Sequence, residues 1–191
     1  PVIVFSTTTE TGYVEGCRTI PADYHVYLPF DFGWVIKPII KRTAPDLLIL
    51  GESDFWYNLI KSSKRAGASV ILVNGKISQR SLERFKKVRF FAHALFSNID
   101  AFYVQSALYR NRFEELGVPP EKITITGNMK LDGDYSKLPA AQLEAWRKEL
   151  GIKRSDPVLV IGSTHHPEEA QLLGAMSKVW TQYPNLKVVI V

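Results

Sequence analysis

Cysteine is almost absent: Cys17 is the single one among 191 residues, so no internal disulfide can form and the disulfide-stapled secreted class is excluded. A reducing compartment is the natural setting. No run of 18 or more uncharged apolar residues occurs, so nothing in this chain reads as a membrane span. Neither the Gly-Lys-Ser/Thr of a phosphate-binding P-loop nor a G-x-G-x-x-G fingerprint is present, which removes support for nucleotide hydrolysis and NAD chemistry. No repeat of 20 to 50 residues appears, and solenoid architectures drop out with it. What remains is an ordinary globular composition, 46% hydrophobic and 23% charged, enough for one domain and part of a second. The net charge of +5 favours polyanionic partners, but it does not choose among phosphorylated small molecules, anionic lipid and nucleic acid.

Short runs rich in Val, Ile and Leu predict strands near 2–6, 24–28, 46–51, 69–74, 101–105, 122–126, 157–162 and 186–191. Each run is continuously apolar rather than alternating, the pattern of parallel strands covered on both faces by crossover helices. Helices are expected near 54–66, 78–96, 106–116, 140–150 and 167–182, with a further helical stretch passing Cys17. The class is α/β, doubly wound, with ligand crevices at the C-terminal ends of the strands. Gly133, Pro139, Gly151 and Pro157 punctuate the stretch between the sixth and seventh strands. Residues 1–133 therefore read as most of one Rossmann-like domain, 134–156 as a linker or hinge, and 157–191 as the start of a second domain facing the first across a cleft. Pro1 to Phe5 enters directly as a strand and Leu186 to Val191 stops inside one, so both ends read as cut.

Five strand-to-helix junctions carry residues able to do chemistry. Thr7-Thr8-Thr9-Glu10-Thr11-Gly12 places hydroxyls and a glycine at a helix start, suited to an anion or a sugar hydroxyl or simply to capping. Gly51-Glu52-Ser53-Asp54 puts two carboxylates past a strand. One helix end needs one cap, so Ser53 or Asp54 is expected to cap, and Glu52 is the better candidate for a base, a sugar-hydroxyl acceptor or an electrostatic stabiliser. Asn74-Gly75-Lys76-Ile77-Ser78-Gln79-Arg80-Ser81 offers two cations and two hydroxyls for phosphate or carboxylate, with Ser78 equally able to cap. Gly127-Asn128-Met129-Lys130 presents a cation suited to a departing phosphate or to plain solvation. Gly162-Ser163-Thr164-His165 can grip phosphate through backbone amides and hydroxyls. Asp132-Gly133-Asp134 imitates a metal-binding D-x-D, but it lies in the expected linker, and the His165-His166 pair lacks zincin spacing, so no metal is expected. Finally, 84–96 interleaves basic and aromatic residues. On one helix Phe85, Val88, Ala92 and Leu95 would share a face, leaving Phe90, Phe91 and Phe96 in excess, which suits either a crossover helix or an anionic membrane surface.

Taken in order, these motifs resemble the 3-deoxy-D-manno-octulosonic acid (Kdo) transferase family. The signposts are Thr7 to Gly12, Tyr27-Leu28-Pro29-Phe30-Asp31, Glu52-x-Asp54-x-Trp56-x-Asn58, Asn74-x-Lys76-x-Ser78-x-Arg80-Ser81, Gly127-Asn128-x-Lys130-x-Asp132 and Gly162-Ser163-Thr164-His165. The resemblance covers essentially the whole chain, although Ser53, Asp54, Tyr57 and Gly75-Lys76 depart from the usual family residues. It implies a GT-B fold and an inverting, metal-free and cofactor-free glycosyltransferase of lipopolysaccharide biosynthesis, which moves Kdo from CMP-Kdo to a lipid A precursor at the cytoplasmic face of the bacterial inner membrane. It also implies contact with an anionic membrane surface and no nucleic-acid partner. By resemblance Glu52 and Lys130 stabilise the transition state, while Thr8, Thr9, Gly12, Asp54, Asn74, Lys76, Ser78, Arg80, Asn128, Ser163, Thr164 and His165 bind substrate. The family's general base, a glutamate, would lie upstream of Pro1 and its CMP-binding motifs beyond Val191, so this chain alone is expected to be inactive. Two other readings stay open on the sequence: a GT-B-like nucleotide-sugar epimerase, and a non-catalytic module that binds sugar or a membrane surface.

Overall fold

Apolar runs become strands and the amphipathic stretches between them become helices in a computed structural model that describes residues 1–133 and 138–191. In chain order the elements are β1 (Val4–Thr7), α1 (Glu10–Thr19), β2 (Tyr24–Tyr27), α2 (Gly33–Thr43), β3 (Leu47–Gly51), α3 (Tyr57–Arg65), β4 (Ser69–Gly75), α4 (Gln79–Lys87), α5 (Arg89–Phe96), β5 (Ala101–Val104), α6 (Ala107–Glu115), β6 (Ile123–Ile125), α7 (Ala140–Glu149), β7 (Val158–Ile161), α8 (Glu168–Gln182) and β8 (Lys187–Ile190). Every strand pair is parallel: β1 with β2, β3 through β6 in sequence order, and β7 with β8. The chain divides into two compact units, Pro1–Gly133 and Asp134–Val191.

The core of the first unit forms where β4 and β5 are covered. Val70, Leu72, Phe102 and Val104 on these strands are fully buried with Ile60 of α3, Leu82 of α4, Leu95 of α5 and Phe113 of α6. An aromatic cluster fills its centre. Phe113 meets Phe102 at 5.2 Å and Phe96 at 5.8 Å between ring centroids, and Phe55 meets Phe96 edge-on at 5.3 Å. Such tilted and edge-on contacts suit the ring quadrupole and add to the apolar area removed from water.

Burial on both strand faces, expected throughout, is approached only in β4 and β5, the inner strands of the four-stranded sheet. In β1, β2 and β3, which border their sheets, large side chains such as Val4, Tyr27 and Ile49 stay exposed. The strands of 1–133 also form two hydrogen-bonded sheets rather than one continuous doubly wound sheet.

Three local expectations are corrected. The helix expected over 78–96 is two helices, α4 and α5, broken at Val88, whose φ of −123° and ψ of 50° leave the helical region. Of the expected common face, Phe85, Ala92 and Leu95 do pack on the core, but Val88 is exposed, and Phe96, counted as surplus, is buried in the aromatic cluster. Lys86 of this basic stretch pairs with Glu115 of α6 at 2.5 Å. Helix α2 has no counterpart in the expected set, because it starts on Gly33 and carries Pro38 inside, both signals that argue against a helix.

The third correction concerns the start of α3, where neither Ser53 nor Asp54 caps. The helix begins at Tyr57, and the Asp31 carboxylate caps it from 27 residues away, accepting from the Asn58 and Leu59 amides at 2.9 Å each. The Asn58 side-chain amide returns a 2.6 Å bond to the Asp31 carbonyl, locking the approach to α2 onto α3. Asp31→Ala should cost about 1–2 kcal/mol, the usual range for a lost cap with charged acceptor character, read as a lower urea midpoint at unchanged slope.

Candidate functional site

The C-terminal ends of parallel strands lie along one sheet edge, and three of the sequence's junctions meet there. Strand β3 ends at Gly51, and the next residue, Glu52, is pinned to β4 on both sides. Its N–H donates to the Val73 carbonyl at 2.9 Å and its carbonyl accepts from the Lys76 N–H at 3.1 Å. Held this way, Glu52 adopts φ 53°, a left-handed conformation uncommon outside glycine that persists only where surrounding bonds enforce it.

Strand β4 contributes a bulge. Ile71 and Leu72 face Ala101 and Phe102, but the next pair is Gly75 with Val104, so β4 carries one extra residue. Asn74 sits in this bulge at φ 52°, which asparagine tolerates better than most residues, and it is buried. Gly75 is required by space: a Cβ there would lie 2.9 Å from Leu72 Cδ2 and 3.2 Å from Val104 Cγ1.

The third arm follows β6. Gly127 turns the chain at φ 88°, and the Asn128 side chain accepts from the Lys130 N–H at 3.1 Å, starting a single 3-10 turn over Met129–Leu131. This turn directs Lys130 back onto the end of β3.

The outcome is one carboxylate between two ammonium groups. Lys130 Nζ lies 2.6 Å from Glu52 Oε1, and Lys76 Nζ lies 2.5 Å from Oε2, one cation on each oxygen. The Asn74 amide Nδ2 lies at 3.5 Å from Oε1. Hydrogen bonds from Lys130 and then Lys76 hold the Glu52 carboxyl below the usual glutamate range, outweighing its partial desolvation. The bond to Glu52 raises Lys76 in turn. Two residues on, Asp54 is pushed the other way, by desolvation of its carboxyl and then by the Glu52 charge, although the residue as a whole is exposed.

Beside Lys76 lies a depression of about 200 Å³ lined by Ser53, Phe55, Lys76, Ile77, Ser78, Ser81 and Tyr109. Ser78 caps α4, accepting from the Ser81 N–H at 3.1 Å, so the capping alternative is realised there; Arg80 is exposed on the same helix. Thr8, Thr9 and Gly12 form a separate group at the start of α1. Thr9 caps that helix by accepting from the Gly12 N–H at 3.1 Å, Thr8 is exposed, and a Cβ on Gly12 would fall 2.5 Å from Thr7 Oγ1.

In the second unit, Gly162, Ser163, Thr164 and Glu168 line a hollow of about 550 Å³ at the end of β7, and Ser163 is again left-handed at φ 59°. The His165 N–H donates to the Glu168 carboxylate at 3.0 Å, and its ring Nδ1 lies 3.1 Å from the Ser163 carbonyl oxygen. Asp134 of the D-x-D lies outside the described residues. Among the described residues no group of three or more His, Cys, Asp or Glu could hold a metal ion, and no helix is long and apolar enough to cross a membrane.

Glu52, Asn74, Lys76, Asn128 and Lys130 are separate candidates in the sequence, and the structure gathers all five. Two further groups join them without being candidates in the sequence: Gln105, whose Nε2 donates to the Asn74 carbonyl at 3.0 Å, and the Met129 N–H, which donates to Asn74 Oδ1 at 3.2 Å. No local pattern marks either, since both bonds span more than 30 residues.

Comparison with known proteins gives a consistent picture. The family profile described as 3-deoxy-D-manno-octulosonic-acid transferase (kdotransferase) matches residues 2–133. A 3-deoxy-D-manno-octulosonic acid transferase of Chlamydophila psittaci is 35% identical over 173 residues, covering 88% of this chain and 39% of that protein. One from Haemophilus influenzae is 30% identical over 190 residues, covering 99% of this chain and 44% of that protein. The chain thus spans well under two thirds of the length of these curated relatives. The solved UDP-GlcNAc 2-epimerase of Methanocaldococcus jannaschii shares the fold at TM-score 0.59 with 9% identity, covering 98% of this chain and 56% of that one.

Proposed function

Because the chain belongs to the 3-deoxy-D-manno-octulosonic-acid transferase family, we propose that the full-length protein transfers Kdo from CMP-Kdo to a lipid A precursor, with Glu52 and Lys130 as its transition-state stabilisers. The observation that supports this is the Glu52 carboxylate held between Lys76 and Lys130 at the ends of β3, β4 and β6. In the proposed reaction the acceptor hydroxyl oxygen bonds to the anomeric carbon as the bond from that carbon to the CMP phosphate breaks, and CMP departs with the electron pair. The hydroxyl proton passes to the family's general-base glutamate. Positive charge grows on the sugar ring and negative charge on the leaving phosphate. A fixed carboxylate answers the first and a nearby ammonium the second, which is where preorganised charge contributes most. The two ammonium groups on the carboxylate are cations that an anionic donor can meet there.

The lipid acceptor calls for a surface that meets a bilayer, and two aromatic groups flank the start of α3. Phe30, Phe32 and Trp34 form an exposed row in which the rings of Phe32 and Trp34 stack at 6.0 Å. Phe91 packs 5.1 Å from Tyr57, with its chain neighbour Phe90 89% exposed. Lys37, Lys61 and Arg89 lie on the same three helices, the mixture of apolar rings and cations that binds anionic lipid interfaces.

The test is transfer by the full-length protein with CMP-Kdo and acceptor presented in detergent or in anionic vesicles. The expected result is release of CMP with Kdo appearing on the lipid, faster on vesicles. Epimerisation of a UDP-sugar without transfer would replace this reading with the other one the fold accommodates.

A further inference from the structure

We infer that Asn74 is a positioning residue, not a substrate ligand: it fixes the separation of Glu52 and Lys130 by facing the carboxylate of the first and bonding to the turn that carries the second. The inference deepens the reading above and rests on it for its kinetic part. Asn74 is buried, with 7% of its surface exposed, in the β4 bulge, and its polar atoms are directed inward to protein partners. Its Oδ1 accepts the Met129 N–H at 3.2 Å, and its Nδ2 faces Glu52 Oε1 at 3.5 Å. These partners fix which end of the amide is which, since an N–H needs an acceptor and a carboxylate needs a donor. From behind, Gln105 Nε2 donates to the Asn74 carbonyl at 3.0 Å, and the Gln105 N–H donates to the Gly75 carbonyl at 3.1 Å, so β5 braces the bulge.

The geometry explains why this residue type stands here. The left-handed backbone favours Gly or Asn, and of these only Asn adds a donor and an acceptor, two bonds from Cβ. Aspartate would keep the acceptor for Met129 but set a second negative charge against Glu52. Glycine would keep the backbone and lose both contacts. Met129 precedes Lys130 directly, so releasing its N–H frees the turn that aims the ammonium group.

The experiment uses the full-length protein with Asn74→Gly and Asn74→Asp, read by hydrogen exchange of the peptide spanning 126–133 and by steady-state transfer kinetics. Asn74→Gly should speed exchange of that peptide at least tenfold and lower kcat at least tenfold, with KM for CMP-Kdo within about threefold and Tm nearly unchanged. Asn74→Asp should keep the peptide protected yet still lose kcat. Unchanged exchange in Asn74→Gly would overturn the inference, and so would a rise in KM at constant kcat, the signature of a substrate ligand. If the wild-type protein transfers no Kdo, the proposed function fails, while the exchange measurement still decides the anchoring role.

Discussion

Replacing Lys130 by Ala in the full-length protein should lower kcat for Kdo transfer by about a hundredfold, in the range found when one preorganised stabilising group is removed. Glu52→Ala should do the same. Neither should cost much stability, because the pair is partly solvent-exposed, 67% at the Lys130 side chain and 30% at Glu52, and such pairs contribute under about 1 kcal/mol. The contrast between a large kinetic effect and a small stability effect is the signature of groups held for chemistry. The left-handed Glu52 backbone, enforced by its two bonds to Val73 and Lys76, keeps the carboxylate in one place. Measuring kcat and the urea midpoint on the same two variants checks both halves. A loss of activity that merely follows a loss of folded protein would refute the assignment.

Phe113→Ala should have the largest effect on stability. Its ring is fully buried, and Phe55, Phe96 and Phe102 all lie within 6.2 Å of it between centroids. Removing it opens a cavity at the centre of the first unit and should cost about 3–5 kcal/mol, or roughly 10 °C or more in Tm. Thermal unfolding followed by near-ultraviolet circular dichroism checks this, and a shift under about 1 kcal/mol would mean that the cluster is not the core. The same cluster explains the placement of Phe55 just after the Glu52 loop: its edge-on contacts tie that loop to the core.

Much of this was legible in the chain. Continuous Val, Ile and Leu runs marked every strand to within about two residues, because apolar β-branched runs bounded by turn residues leave few alternatives. Glu52 stood out because two carboxyls follow one strand and only one cap was needed, although the cap itself proved to be Asp31, supplied from a distant segment. What stayed hidden was long-range. The Asp31 cap, the Gln105 brace and the break at Val88 each depend on partners many residues away or on φ and ψ values that no local pattern encodes. Helix α2 stayed hidden for the opposite reason: packing of Ile36 and Ile40 against Leu59 overrides the local penalty of Pro38. Asn74 was picked out for its chemistry, but its burial and its bulge, not its residue type, assign it a supporting role.

The most direct test is an NMR titration of the Glu52 side-chain carboxyl, assigned by its loss in Glu52→Gln. Because the folded carboxyl is held below its ordinary value, the stability it contributes is present above the unfolded glutamate pKa and disappears as pH falls through the folded one. The account predicts a midpoint below the usual glutamate range that moves upward in Lys130→Ala. A Glu52 that titrates at an ordinary value, indifferent to the loss of Lys130, would contradict it.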